Sequence, residues 1–191
     1  MILLSEGRRK MFIKIRPAQN LFACKSAISP FTAMMFLQYV ESPVGWVEIT
    51  AEDKAIVSVL FFDRKEKKET HSSLTQDCAR QMHEYFRSER KRFELPLHLS
   101  GTEFQSEVWS ELQKIPFGKT ISYLELARRL GDEKKIRAAA TANGRNPVSI
   151  LVPCHRVIGS DGSLVGYGGG LWRKKWLLEF ESGRKQTQLA I

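Results

Sequence analysis

Cysteine is scarce in this chain. Its 191 residues hold three, Cys24, Cys78 and Cys154, with no repeating spacing. Thiols so placed do not form a disulfide framework, and a reducing, intracellular compartment is expected: cytoplasm, or nucleus in a eukaryotic source. Long apolar runs are missing as well. No stretch approaches the roughly 20 residues that a membrane-spanning helix needs, so no membrane partner is expected. Residues 1–33 carry Arg8, Arg9 and Lys10 among scattered apolar residues, without the compact apolar centre and cleavage site of a secretory signal. An organelle-targeting peptide is one reading of them. The favoured reading is a disordered tail, or a start called too early with the true beginning at Met34 or Met35. Acidic residues are outnumbered, 21 against 30 Lys and Arg, for a net charge of +9. That balance suits a polyanionic partner without demanding one.

What is present suits one large or two small globular domains with real cores: 42% of residues are hydrophobic and 27% charged. Residues 36–62 read as a meander of strands, rich in β-branched and aromatic residues, with turns at 43–45 and 52–54. The charge run 63–69 reads as a solvated loop. A helix is expected over 73–87, with Ser73 and Gln76 as its capping box and Leu74, Cys78 and Tyr85/Phe86 as its apolar stripe. A short strand near 93–97 would complete a small α/β domain over residues 34–100. His71, Cys78 and His83 lack the close paired spacing of structural zinc sites, and Cys78 falls on the apolar stripe. No metal and no cofactor are expected.

Residues 101–191 read as a second, mainly helical domain, which makes the whole an α+β protein. Thr102 and Gln105 form a capping box for a helix that ends before Pro116. Ser122 and Glu125 form another, and Gly131 closes that helix. A further helix is expected over 133–143. Two short helices around a glycine turn read as a helix-turn-helix, and Arg128, Arg129, Lys134, Lys135, Arg137 and Arg145 give it the charge of a phosphate-contacting surface. Arg137 has three open roles: pairing with phosphate, pairing with Glu133, or entering a duplex.

The most informative stretch is 146–159. An apolar run between Pro147 and Pro153 reads as buried, and Cys154 and His155 follow where it stops. A thiol attacks only as thiolate and needs a proton acceptor, usually an imidazole; adjacent residues rarely touch, but a water can bridge them. The alternative is a buried, inert thiol. Glu181 falls on the apolar face of a last helix over 171–182. A carboxylate there needs a partner, and His155 would serve; otherwise it is an exposed acid at a helix end.

Pro153-Cys154-His155-Arg156-Val157 resembles the active-site motif of the O6-alkylguanine-DNA alkyltransferases. The likeness extends through Asn146-Pro147, Tyr167-Gly168-Gly169-Gly170-Leu171 and Lys175-Trp176-Leu177-Leu178, covering roughly residues 101–183. It implies irreversible transfer of an alkyl group from O6-alkylguanine in double-stranded DNA, with O4-alkylthymine as a second candidate substrate, to Cys154 in a single turnover by a monomer. By the same resemblance, His155 acts on Cys154 through a water and Glu181 orients His155. Tyr123 protonates the leaving base, and Asn146 holds the turn. Tyr123, Val157, Tyr167 and Gly168 line the alkylguanine pocket. Arg137 fills the space of a flipped base from a helix in the minor groove, while Thr141, Arg128, Lys134 and Arg145 contact DNA. Some members carry serine where Gly168 stands and proline where Ser149 stands. A binding-only relative, a helix-turn-helix regulator and a Cys-His hydrolase are the competing readings.

Overall fold

A computed structural model describes residues 34–183. The expectations for residues 1–33, Cys24 included, lie outside the described residues. Strands β1 (Phe36–Ser42), β2 (Gly45–Ala51) and β3 (Ile56–Phe62) form an antiparallel sheet in that order. Val47, Ile49 and Ala51 alternate along β2 and are fully buried, as strand periodicity requires of a face turned to a core. Glu48, on the opposite face, is buried too. Tyr39 Oη–H donates to it at 2.5 Å and Lys67 Nζ at 2.9 Å. The charge run 63–69 is therefore not simply a solvated loop, because Lys67 is recruited to neutralise a buried carboxylate.

Helix α1 (Ser73–Phe86) packs on this sheet. Its cap is Ser72, not Ser73. Ser72 Oγ accepts from Thr75 N–H at 3.2 Å, and Ser72 N–H donates back to Thr75 Oγ1 at 3.0 Å. A threonine hydroxyl thus closes the box that Gln76 was expected to close. The expected strand at 93–97 is absent. Only a bridge at Leu97 forms, through Ile56 N–H to Pro96 O (2.8 Å) and His98 N–H to Ile56 O (3.0 Å). Pro96 has no donor with which to continue a ladder.

Helix α2 (Glu103–Gln113) starts at the expected Thr102–Gln105 box. Strand β4 (Ile121–Ser122) leads into α3 (Tyr123–Arg129), where Ser122 Oγ accepts from Glu125 N–H at 3.0 Å. This box is half made, because the Glu125 carboxylate turns to Arg129 instead (2.9 Å). Gly131 takes φ +82°, a conformation that favours glycine. The helix expected over 133–143 is broken: a 3₁₀ turn, Glu133–Lys135, precedes α4 (Ile136–Gly144). Asp132 Oδ1 accepts from Lys134 N–H at 2.9 Å and stabilises this tighter first turn. Strand β5 (Val157–Ile158) pairs in parallel with β4, and α5 (Leu171–Glu181) ends the described fold.

Side chains from both sides of residue 100 join one hydrophobic cluster. Ile49 and Met82 contribute from the first stretch; Trp109, Leu126, Ala139, Val148 and Leu177 contribute from the second. The architecture is α+β, a sheet with one helix followed by a mainly helical region. No helix among the described residues is long and apolar enough to cross a membrane.

Candidate active site

The segment 148–157 is buried throughout, and β3 holds it from behind. Val59 N–H donates to Pro147 O at 2.9 Å, and Ser149 N–H donates to Val59 O at 2.8 Å. A proline at 149 would lose the second bond. The chain then doubles back on Ile150, whose φ is +71°. A β-branched residue rarely enters that region, and the strain is offset by the surrounding bonds. Asn146 fills the turn. Its Nδ2 donates to Val152 O at 2.8 Å and to Cys154 Sγ at 3.1 Å, while its Oδ1 accepts from Val148 N–H at 3.1 Å. Asn143 Nδ2 donates to the Cys154 carbonyl at 3.3 Å.

Cys154, His155 and Arg156 form one buried 3₁₀ turn. His155 Nε2 lies 2.9 Å from Glu181 Oε1. Arg156 donates from Nε to Glu181 Oε2 at 2.7 Å, from Nη2 to Oε1 at 2.8 Å, and from Nη1 to Ile115 O at 2.6 Å. Tyr85 Oη–H donates to Oε1 at 2.8 Å, and Gly118 N–H to Oε2 at 3.2 Å. Glu181 thus ends α5 as a buried hub rather than an exposed acid. Gly118 is required beside it: φ is +71°, and a Cβ would lie 2.6 Å from the Glu181 carbonyl oxygen.

Burial raises the Glu181 pKa, but the bonds and charges of His155 and Arg156 outweigh it and hold the carboxyl well below its usual range. Burial pulls His155 down despite the pull of Glu181, so the ring is neutral at neutral pH. An ionised carboxylate only accepts, so the proton is assigned to Nε2 and Nδ1 is left basic. Among the described residues Nδ1 has no hydrogen-bond partner. Burial pushes the Cys154 thiol up, against the Asn146 hydrogen bond and the Lys174 charge.

Tyr123 Oη–H donates to Val165 O at 3.1 Å. Its hydroxyl is held protonated, first by burial and then by the nearby Cys154. Lys174 is fully buried, donates to Val165 O at 2.9 Å, and lies 5.6 Å from the Tyr123 ring centre. Burial pulls it down to about 8, against the opposing effect of Cys154. Val157 is fully buried in β5. Tyr167 packs against Phe61 at 6.2 Å between ring centres. Arg173 pins the glycine-rich loop to the sheet by donating to Gly169 O (2.9 Å), Val44 O (2.7 Å) and Asp63 (2.6 Å). Gly168 is exposed, and a Cβ there would meet nothing nearer than Gly144 O at 3.8 Å.

Arg128 of α3, Lys134 of the 3₁₀ turn, Arg137 and Thr141 of α4, and Arg145 just after it are all exposed. Of the three roles open to Arg137, the pairing with Glu133 is not made; Arg128 Nε takes Glu133 at 2.8 Å. Among the described residues Arg137 forms no ion pair. Thr141 Oγ1–H donates to the Arg137 carbonyl at 2.9 Å. Along α4, Ala139 and Ala142 are buried, while Ala138 is exposed. Cys78 is buried, with its pKa pushed up to about 12 by burial and by Asp77. Among the described residues no three metal-binding side chains come together.

Sequence reasoning passed over four residues that the site includes: Arg156, Tyr85, Asn143 and Lys174. Arg156 stood inside the motif, and its place in a buried run signalled an ion-pair partner. Tyr85 was read only as part of an apolar stripe, although a buried tyrosine hydroxyl usually finds a partner.

Two family models match the chain. One, described as 6-O-methylguanine DNA methyltransferase, ribonuclease-like domain, covers residues 35–99. The other, described as 6-O-methylguanine DNA methyltransferase, DNA binding domain, covers residues 103–183. The methylated-DNA–protein-cysteine methyltransferase of Methanosarcina acetivorans is 40% identical over 153 residues, spanning 77% of this chain and 98% of that protein. A probable methylated-DNA–protein-cysteine methyltransferase of Acanthamoeba polyphaga mimivirus is 42% identical over 159 residues, spanning 81% and 100%. The crystal structure of the Mycobacterium tuberculosis O6-methylguanine methyltransferase in complex with DNA superposes with a TM-score of 0.73 at 37% identity, covering 80% of this chain and 96% of that one. The chain belongs to the 6-O-methylguanine DNA methyltransferase family.

Proposed function

We propose that this protein repairs double-stranded DNA directly, by moving the alkyl group of an O6-alkylguanine onto its own Cys154 in a single turnover. One observation carries the reading: a thiol held by Asn146 adjoins a neutral imidazole whose far nitrogen rests on a buried, ionised Glu181. Nδ1 of His155 accepts the thiol proton through a bridging water. The thiolate then attacks the alkyl carbon as the C–O6 bond breaks, and the electron pair leaves with the guanine. Tyr123, kept protonated, supplies a proton to the departing base, at N3 as in the alkyltransferases it resembles. The thioether is stable, so the protein is consumed.

An alkyl carbon inside the base stack is shielded, so the nucleotide rotates out before it reacts. Arg128, Lys134, Thr141 and Arg145 hold the duplex, and Arg137, unpaired among the described residues, enters the vacated space. Tyr123, Val157, Tyr167 and Gly168 bound the pocket, with Lys174 and Arg173 fixing its glycine-rich wall. Residues 34–100 serve as the scaffold and 101–191 carry DNA binding and transfer. The protein acts as a monomer, with the cytoplasm as its place of action.

Intact-mass analysis after incubation with methylguanine-containing duplex tests this. One alkyl mass per chain, mapped to Cys154, is expected. Repeated turnover, or an alkyl group on Cys78, would overturn it.

A further inference from the structure

We propose that Tyr85 is a positioning residue of the proton relay: its hydroxyl competes with His155 for one oxygen of Glu181 and so sets how strongly that carboxylate pulls on the imidazole. The proposal rests on the relay described above and extends it to α1, in the stretch matched by the ribonuclease-like family model. The two residues are 96 positions apart and meet at 2.8 Å.

The geometry is that of a shared acceptor. Glu181 Oε1 receives Tyr85 Oη–H at 2.8 Å, His155 Nε2–H at 2.9 Å and Arg156 Nη2–H at 2.8 Å. A carboxylate oxygen has two lone-pair directions, so three donors divide its charge density. What Tyr85 takes, His155 does not receive. The hydroxyl is well placed for this role. Tyr85 is fully buried, and the rings of Phe86, Phe93, Phe117 and Phe180 lie 5.2–6.0 Å from its own ring, centre to centre. Packing therefore fixes the ring without the hydroxyl, and the hydroxyl has no packing task of its own. Burial and the charge of Glu181 keep it protonated, so it is a donor at every working pH.

The charged and titratable groups facing this hub come from several elements. Arg156 and Cys154 share the turn with His155, Lys174 and Glu181 lie on α5, Tyr167 stands in the glycine-rich loop, and Tyr85 reaches in from α1. The positive charges of Arg156 and Lys174 disfavour the imidazolium. Removing the Tyr85 hydroxyl leaves them in place and returns charge density to Glu181. That density strengthens its bond to His155 and raises the imidazole pKa. More of the ring is then protonated at low pH and unable to take the thiol proton.

Tyr85→Phe in the full-length chain is the test, with single-turnover transfer from free benzylguanine followed across pH. The acid limb of the rate profile should move up by about one pH unit, the size expected when a charged acceptor loses one hydrogen bond. In a Glu181→Gln background the same substitution should move nothing. Proton NMR titration of the His155 ring should show the same upward shift before any alkyl transfer. A profile that scales down equally at every pH, or an unmoved His155 titration, would overturn the proposal and leave Tyr85 as packing. Tyr85→Leu repeats the titration should the phenylalanine variant fail to fold. Failure of the underlying reading is distinct: wild-type Cys154 would then take no benzyl group at all.

Discussion

Two of the arginine–glutamate pairs in the molecule, one buried and one exposed, have opposite consequences. In the interior, Arg156 and Glu181 form a two-bond fork with side chains 7% and 1% exposed. On the helix-turn-helix, Arg128 meets Glu133 through one bond at 2.8 Å with side chains 54% and 59% exposed. Desolvation makes the first pair hard to form and harder to break, since either partner left alone is a buried charge. Water and salt make the second nearly neutral. The difference suits the two tasks proposed for these regions. A proton relay needs one fixed geometry, whereas a DNA-contacting arginine must be able to leave its protein partner for a phosphate.

The largest expected effect comes from emptying the interior site of its nucleophile. Cys154→Ser should abolish alkyl transfer and leave duplex affinity unchanged, because α3 and α4 keep their exposed cations. Retained transfer by mass analysis, or lost binding in a mobility-shift titration, would join regions that the comparison separates.

Next in size is the fork itself. Arg156→Leu removes the guanidinium together with part of the side-chain volume and leaves Glu181 short of a countercharge, and should cost about 3–5 kcal/mol of stability near neutral pH. The pH dependence has a definite sign. Glu181 has a folded pKa below its unfolded value, so its contribution is present above the unfolded carboxylate value of about 4.3 and is lost as pH falls below it. The gap between wild type and variant in urea denaturation should therefore narrow below about pH 4. A constant gap would mean that packing, not charge, holds Arg156 in place.

What the sequence made legible follows the same division. The buried Cys154–His155 turn and the caps at Thr102 and Ser122 were readable because each depends on residues within a few positions. Its place on an apolar helix face made Glu181 a candidate for burial, beside the alternative of an exposed acid at a helix end. Its partners beyond His155 were not readable: Tyr85 lies 96 residues away, and helical spacing reports which way a side chain points but not what meets it. The strand expected at 93–97 failed at Pro96, which has no donor for a ladder. The break at Lys135 escaped because Asp132 acts through a local side-chain bond that competes with the helix ladder.

A smaller effect should separate DNA contact from chemistry on the exposed side. Arg137→Ala should slow repair in duplex DNA by roughly tenfold or more, since holding a base out of its stack costs a few kcal/mol. Reaction with free benzylguanine, which needs no flipping, should be unaffected. Equal slowing on both substrates would move Arg137 from the duplex to the pocket.

The smallest expected effect has the opposite sign. Glu133→Gln removes the carboxylate that occupies Arg128. If the surface pair is dispensable, the melting temperature and the benzylguanine rate stay as they were. Duplex binding should tighten, because a negative charge leaves the face that meets phosphates and Arg128 becomes free to reach one. The salt slope of binding should then steepen by about one released counterion at most. Weaker binding would mean that Glu133 holds Arg128 in the orientation that DNA requires. The exposed pair would then act as the buried one does, through geometry rather than through availability. Measuring the slope with and without Glu133, beside the stability loss of Arg156→Leu, decides whether the two arginine–glutamate pairs differ in kind or only in depth.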